Sequence, residues 1–76
     1  MAGGVAFGMS KELPFIVYCM EEYKVQKNMT GKAVSELFQK YSVCEYLKKF
    51  YEALHTTGAN YIVNDIDMYI RSKAAG

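Results

Sequence analysis

Apolar residues recur at the spacing of an α-helix in three successive stretches of this chain, and short polar segments separate these stretches. In the second and third stretches the apolar positions follow intervals of 0, 3, 4 and 7, starting at Val34 and at Val43. The first stretch has an apolar face formed by Leu13, Ile16, Val17, Met20 and Tyr23 and widened by Phe15 and Cys19. Because such a stripe lies along one side of a helix and is buried against other elements, the pattern predicts a mainly α fold.

The polar segments carry residues that are typical of helix ends. We expect the first helix to start near Glu12, because Pro14 lacks an N–H and is tolerated only in the first turn. Its apolar face is wide, so we expect this helix to be the most buried one. Thr30 follows Asn28 closely and is a favourable N-cap, which predicts a second helix over residues 31–41.

The third helix is predicted from a capping box. Ser42 is followed three residues later by Glu45, so the serine hydroxyl can accept the Glu45 N–H while the carboxylate accepts the Ser42 N–H. Gly58 tolerates a positive φ angle, and we expect it to end this helix.

Two interpretations fit the last apolar segment. In the first, residues 61–63 form a short strand that pairs with residues 27–29 in a two-stranded ribbon, and Asn64 caps the helix that follows. In the second, a helix starts near Asn60, because four apolar residues share one face: Ile62, Ile66, Tyr69 and Ile70. We favour the first and leave the second open. The expected fold is a compact, mainly α domain of four helices, with the minimal ribbon as its one optional feature.

The two ends of the chain differ in composition from the segment between them. Residues 1–9 are rich in glycine, and we expect a flexible N-terminal extension or tag that includes Phe7. Residues 10–73 contain no internal repeat and no linker-like stretch, which predicts a single helical domain. We expect the tail, residues 74–76, to fray.

The charges of the chain nearly cancel, since nine basic and eight acidic residues give a formal net charge of +1. This balance argues against a nucleic-acid-binding protein that relies on a basic surface. No apolar run approaches the roughly 18 residues of a membrane-spanning helix, so we expect no membrane association. Cys19 and Cys44 are too few to staple a small secreted domain, and we expect two buried free thiols in a cytoplasmic protein.

The residues capable of catalysis or metal binding are few and poorly spaced for either. His55 is the only histidine, and together with Cys19 and Cys44 it forms no C-x-x-C or H-x-x-x-H pair. We expect His55 near the free carbonyls of a helix end. Asp65 and Asp67 would point in different directions on a helix and favour its positively charged N-terminal end. We therefore expect no enzyme, no catalytic residue, no cofactor and no metal site.

The chain has seven tyrosines and four phenylalanines, and a core of this size cannot bury all eleven rings. Tyrosine is common at protein interfaces, because its ring buries a large area at low entropic cost and its hydroxyl stays polar. We expect a partner interface formed by Tyr18, Tyr51 and Tyr61, with Phe7 as an addition. The alternative is that these rings only cover the edge of a small core.

Four segments of the chain, taken in order, resemble a known family. They are FIVYCMEEY (residues 15–23), SELFQKY (35–41), LHTTG (54–58) and YIVNDIDMYI (61–70). The series resembles a family of small bacterial proteins, common in anaerobic Firmicutes, that is known only as a domain of unknown function, and it covers about residues 10–73. Members of that family are often encoded beside a second family that resembles ADP-ribosyltransferases. The resemblance thus implies a protein partner or an antitoxin-like role, and it implies no catalytic residue.

These observations favour a non-enzymatic protein–protein interaction module, an antitoxin-like or regulatory partner of a neighbouring gene product, that binds a protein or a second copy of itself. The alternative is a small DNA-binding regulator, since the second and third helices meet at Tyr41 and Ser42, as in a helix-turn-helix. From the third helix only Lys48 and Lys49 would face DNA, beside Glu45. Such a slight basic footprint does not favour nucleic-acid binding at physiological salt.

Overall fold

The computed structural model describes residues 11–76, which form five helices connected by short turns. The helices are α1 (Glu12–Gln26), α2 (Gly31–Lys40), α3 (Val43–Lys49), α4 (Tyr51–Leu54) and α5 (Ala59–Ala75). The described part of the chain contains no strand. The prediction of a mainly α fold is confirmed. The expected extension over residues 1–9, with Phe7, lies outside the described residues.

The start of α1 and both limits of α2 lie within one residue of their predicted positions. Thr30 has extended backbone, and its hydroxyl oxygen accepts a hydrogen bond of 3.1 Å from the Ala33 N–H, so the predicted N-cap of α2 is confirmed. Upstream, Asn28 adopts the left-handed conformation, with a φ of 54°, just after the end of α1. The Met29 N–H then donates to the Lys24 carbonyl at 2.9 Å, which completes a Schellman motif.

The predicted capping box at Ser42 is wrong. Ser42 has left-handed backbone, with φ of 55° and ψ of 41°, and its side chain makes no capping hydrogen bond to α3. An N-cap side chain usually needs extended backbone to reach the N–H groups of the first turn. Ser42 also closes α2, where its N–H donates to the Gln39 carbonyl at 3.3 Å. The backbone conformation that closes α2 therefore excludes the capping box.

The predicted third helix is two helices, so the expected count of four helices is corrected to five for the described residues. The backbone at Phe50 leaves the helical region, with φ of −105° and ψ of 21°, and separates α3 from α4. Gly58 does not end this segment through a positive φ, since its φ is −83° and it precedes the first residue of α5. The Thr57 N–H and hydroxyl both donate to the Leu54 carbonyl, at 3.0 and 2.7 Å, so the end of α4 needs no left-handed glycine.

The ribbon between residues 27–29 and 61–63 does not form, and the helical interpretation of the last segment is confirmed. Helix α5 starts at Ala59, so Asn64 lies inside a helix and is not its N-cap. Three residues of α5 are buried at helical spacing: Ile62, Val63 and Ile66. This burial favours a helix over a two-stranded ribbon, which is marginal by itself. Helix α5 continues to Ala75, through most of the tail for which fraying stays a prediction.

One cluster of buried apolar side chains joins all five described helices. It contains Ile16, Cys19, Tyr23, Val34, Phe38, Val43, Leu47, Leu54, Ile62, Val63 and Ile66. Helix α1 contacts α2, α3 and α5, and this central position covers its inner side. The predicted core face of α1 is wrong at two positions, because Leu13 and Val17 lie outside the cluster and are exposed.

Candidate functional site

The side of α1 that points away from the core carries several large apolar side chains. Four large side chains there have exposures of 43–70%: Leu13, Val17, Tyr18 and Val25. Because successive residues of an α-helix are about 100° apart, these positions lie on the flank and back of α1, away from Ile16, Cys19 and Tyr23. A surface helix normally carries polar residues on its outer side. Helix α1 thus carries large apolar side chains on both sides, and we call these four exposed residues the outer face of α1.

One ion pair lies among the side chains of the outer face. Glu21 and Lys24 form an exposed ion pair, with 3.3 Å between Oε1 and Nζ, and such pairs contribute at most about 1 kcal/mol. The exposed fractions of the four residues are 50% for Leu13, 53% for Val17, 43% for Tyr18 and 70% for Val25. Surfaces of this kind mark sites of interaction with other molecules.

Three of the four residues of the outer face escape prediction from the sequence. The helical spacing places Leu13 and Val17 in the core, and Val25 belongs to no predicted site. A signal for the outer face does exist, because Pro14, Tyr18 and Val25 follow intervals of 0, 4 and 11, a second helical stripe. Only Tyr18 is common to the predicted interface and the outer face.

The residues predicted to form a partner interface lie on three helices. Tyr18 belongs to the outer face of α1, and Tyr61 is exposed on α5. Tyr51 of α4 packs edge-on against Phe15, one turn before Tyr18, with 5.3 Å between ring centroids. It also stacks at 4.4 Å on His55, whose Nδ1 donates to the Tyr51 carbonyl at 2.9 Å, as expected of a histidine at a helix end. No aromatic contact within residues 11–76 joins Tyr61 to the other two, and the three-tyrosine interface stays a prediction.

Both cysteines are free thiols in environments that keep them protonated. Burial, with a smaller effect of the neighbouring Cys44, raises the pKa of the Cys19 thiol to about 12. Burial and the Glu45 carboxylate raise the pKa of the half-buried Cys44. A protonated thiol is a poor nucleophile. Within residues 11–76, no three His, Cys, Asp or Glu side chains come together in a way that could hold a metal ion.

Two tyrosine–aspartate hydrogen bonds fasten α5 to α1 and α3. The Tyr23 hydroxyl donates to Asp67 Oδ1 at 2.6 Å, and the Lys27 ammonium forms an ion pair with Oδ2 of the same carboxylate. The Tyr46 hydroxyl donates to Asp65 Oδ2 at 2.5 Å. The predicted role of both aspartates at the N-terminal end of a helix is therefore wrong, because α5 begins well before them.

The surroundings of Asp67 favour its ionised form. Burial alone would raise the pKa of this carboxyl, but the Lys27 ammonium and the Tyr23 hydroxyl outweigh burial and lower the pKa below its ordinary value. Burial and the hydrogen bond to Asp67 raise the pKa of Tyr23, and burial and Asp65 raise that of Tyr46. Both hydroxyls therefore remain donors at neutral pH, and the two hydrogen bonds act as structural ties.

A groove between α3 and α5 is the second surface of interest. Its volume is about 350 Å³, within the range of small-molecule sites. The α3–α5 groove is lined by Ser42, Glu45, Tyr46, Lys49, Phe50, Tyr69 and Lys73. The Tyr46 ring stacks on Tyr69, with centroids 4.1 Å apart, and Phe50 is tilted against Tyr46 at 5.0 Å. The sequence does not predict this site, because Tyr46, Phe50 and Tyr69 all lie on helical stripes that are typical of a core.

A family described as "Protein of unknown function (DUF3791)" matches residues 14–73. The chain belongs to this family. The DUF3791 match begins inside α1 and ends inside α5, so it includes the whole α3–α5 groove and all of the outer face except Leu13. No curated protein and no solved structure matches the chain. None of the described helices is long and apolar enough to cross a membrane.

Proposed function

We propose that this DUF3791 chain is a non-enzymatic protein–protein interaction module that binds its partner through the outer face of α1. The observation that carries the proposal is the exposure of four large apolar side chains on a helix whose other side is already buried. Covering apolar surface contributes about 25 cal/mol per Å², so a partner that covers this face gains binding energy. The raised pKa values of Cys19 and Cys44 support a non-enzymatic role, since neither thiol is activated.

The partner in this proposal is a protein with an apolar groove rather than a second copy of the chain. Two copies packed α1 against α1 would cover little beyond these four side chains, less than the roughly 800 Å² that each partner contributes to a stable complex. A groove that encloses the helix covers its back and both flanks, as in helix-in-groove recognition. Because the Glu21–Lys24 pair lies among these side chains, the groove is mainly apolar and also accommodates one ion pair.

The biological role that we propose is that of an antitoxin-like or regulatory partner of a neighbouring gene product in a bacterial cytoplasm. Support comes from the resemblance to a family often encoded beside ADP-ribosyltransferase-like proteins. Tyr18 lies on the outer face itself. We propose that Tyr51 and Tyr61 extend the contact beyond α1.

The test is co-expression of the full chain with the product of the adjacent open reading frame, followed by co-purification. We compare the wild type with the double variant Val17→Glu and Val25→Glu, which adds two carboxylates to the outer face and leaves the core intact. Gln39→Glu is the control, because Gln39 is exposed on α2, a helix that carries none of the proposed contact residues. We expect the wild type and Gln39→Glu to co-purify with the neighbour, and the double variant to be lost from the complex.

Each other outcome counts against the proposal. A complex that tolerates both carboxylates, or a wild type that forms no complex, contradicts binding through α1. Sedimentation of the wild type alone tests whether a second copy of the chain covers the outer face of α1. A dimer that the double variant dissociates would replace the grooved partner by a second copy of the chain.

A DNA-binding regulator is the second candidate function, favoured by exposed lysines beside a short interhelical connection. Lys48 and Lys49 are exposed on α3, which only Tyr41 and Ser42 separate from α2. Lys48 lies 3.7 Å from Glu45, which weakens the basic footprint. A gel-shift titration over salt decides: retardation of duplex DNA that weakens as salt rises supports this candidate, and no retardation at low salt removes it.

A further inference from the structure

The aromatic wall of the α3–α5 groove is held in place by hydrogen bonds. The wall consists of the stacked Tyr46 and Tyr69 rings and the tilted Phe50 ring. The Tyr46 hydroxyl is fixed by Asp65, and the Tyr69 hydroxyl donates to the Tyr41 carbonyl at 2.8 Å. Because the rings are already ordered, a ligand that packs on them loses little free energy to arranging the site.

Two lysines give the groove a positive charge. The Lys49 ammonium lies 5.6 Å from the ring centroid of Phe50, and the Lys73 ammonium lies 5.7 Å from that of Tyr69. Within residues 11–76, neither ammonium forms an ion pair with a carboxylate. No carboxylate of the described residues therefore neutralises either lysine, and both can bind an anion once they leave the ring faces.

The single acidic residue of the lining does not cancel this charge. Glu45 is the only carboxylate among the residues that line the groove. It lies 3.7 Å from Lys48, which is not one of the lining residues. The lining thus contains two lysines and one glutamate, and a second carboxylate, that of Asp65, is bound by the Tyr46 hydroxyl of the wall. A cationic ligand would have to displace both ammonium groups from the ring faces against this charge, whereas an anion is attracted by it.

We propose that the α3–α5 groove binds a small planar aromatic anion. The ring of the ligand packs on Phe50, whose side chain is 41% exposed, and its phosphate or carboxylate lies between the ammonium groups of Lys49 and Lys73. The lysines leave the ring faces to bind the anion, since a charge-assisted hydrogen bond is stronger than an exposed cation–π contact. The site lies apart from the outer face of α1 and does not depend on the proposed function.

Isothermal titration calorimetry with two ligands tests whether the groove binds an aromatic phosphate or an aromatic carboxylate. Adenosine 5′-monophosphate supplies a phosphate, and indole-3-acetate supplies a carboxylate. We expect at least one of them to bind with a Kd below about 1 mM. Adenosine lacks the anion and inorganic phosphate lacks the ring, and we expect both to bind at least about tenfold more weakly. The ligand that binds more tightly shows whether the site prefers a phosphate or a carboxylate.

Variants of the full chain test the assignment of residues. We expect Lys49→Gln combined with Lys73→Gln to weaken binding of the aromatic anion about tenfold or more, and Phe50→Leu to weaken it through loss of the stacked ring. Lys40→Gln is the matched control, because Lys40 also lies over a ring, that of Tyr41 at 5.4 Å, but outside the groove.

The same measurements can overturn the proposal. Binding of neither aromatic anion does so, and so does an effect of Lys40→Gln equal to that of the groove variants. Val17→Glu with Val25→Glu should bind the anion as the wild type does. A failure of the groove proposal is therefore distinguishable from a failure of the α1 proposal.

Discussion

At the scale of single residues, Asp65 and Asp67 show how far a local argument reaches. Two side chains separated by two positions point in different directions on a helix, which argues against a shared acid–base site. In the structure the divergence sends Asp67 to Tyr23 on α1 and Asp65 to Tyr46 on α3. The sequence predicts the divergence, but not the partners, because these lie 44 and 19 residues away along the chain.

Replacing Tyr23 by Phe should lower the free energy of unfolding by about 1.5–3 kcal/mol, the range for a hydrogen bond to a charged group. Tyr23 is buried, and the substitution leaves the Asp67 carboxylate with Lys27 alone. Urea denaturation measures the change. Tyr18→Phe is the control, because Tyr18 is exposed on α1, and its effect should stay below about 0.5 kcal/mol. Equal effects of the two substitutions would contradict the importance of the Tyr23–Asp67 hydrogen bond.

The Asp67 carboxylate should make the fold sensitive to acid. Burial would raise its pKa, but Lys27 and Tyr23 lower it below the value in the unfolded chain. Its stabilisation is therefore present above about pH 4, the unfolded pKa, and is lost as the pH falls through the lower folded pKa. We expect Asp67→Asn to reduce stability at pH 7 and to weaken the loss of stability below about pH 4. Thermal unfolding from neutral to acidic pH measures both effects. If the variant and the wild type lost the same stability as the pH falls, groups other than Asp67 would control the sensitivity to acid.

At the scale of elements, the start of a helix is predictable where the residue before it has only one structural role. Thr30 only begins α2, and its hydrogen bond to the Ala33 N–H follows from local sequence. Ser42 both closes α2 and precedes α3, and the first task sets its backbone conformation. The break at Phe50 has no local signal, since Phe50 continues the apolar stripe of residues 43–54. Helix number and helix ends therefore depend on tertiary packing that the spacing of apolar residues does not contain.

Substitutions at Ser42 distinguish its role in closing α2 from a role as the N-cap of α3. Ser42→Gly should raise the free energy of unfolding by about 0.5–1 kcal/mol, because glycine adopts a φ of 55° without the steric conflict of a Cβ atom. Ser42→Ala should change it by less than about 0.5 kcal/mol, whereas loss of a working N-cap would cost about 1 kcal/mol. Urea denaturation of both variants distinguishes the cases. A large loss in Ser42→Ala would mean that the hydroxyl caps α3 after all.

At the scale of the whole molecule, the exposed apolar surface follows from a helix with two overlapping stripes. The spacing in α1 predicts a helix, but only the contacts with α2, α3 and α5 decide which stripe is buried. Those contacts bury Ile16, Cys19 and Tyr23 and leave Leu13 and Val17 in solvent. An excess of apolar side chains over a small core is therefore predictable from composition, whereas the place where the excess is exposed is not.

Two adjacent residues of α1 should respond differently to truncation. Ile16→Ala should lower the free energy of unfolding by about 2–5 kcal/mol, because it leaves a cavity in the core. Val17→Ala should change it by less than about 0.5 kcal/mol, since Val17 is exposed. Partner binding, measured by titration of the purified neighbouring gene product, should be weakened more by Val17→Ala than by Ile16→Ala, because only Val17 lies on the outer face that the partner covers. If Val17→Ala destabilised the isolated chain as much as Ile16→Ala, the outer face of α1 would already be covered within the molecule and would have no surface left for a partner.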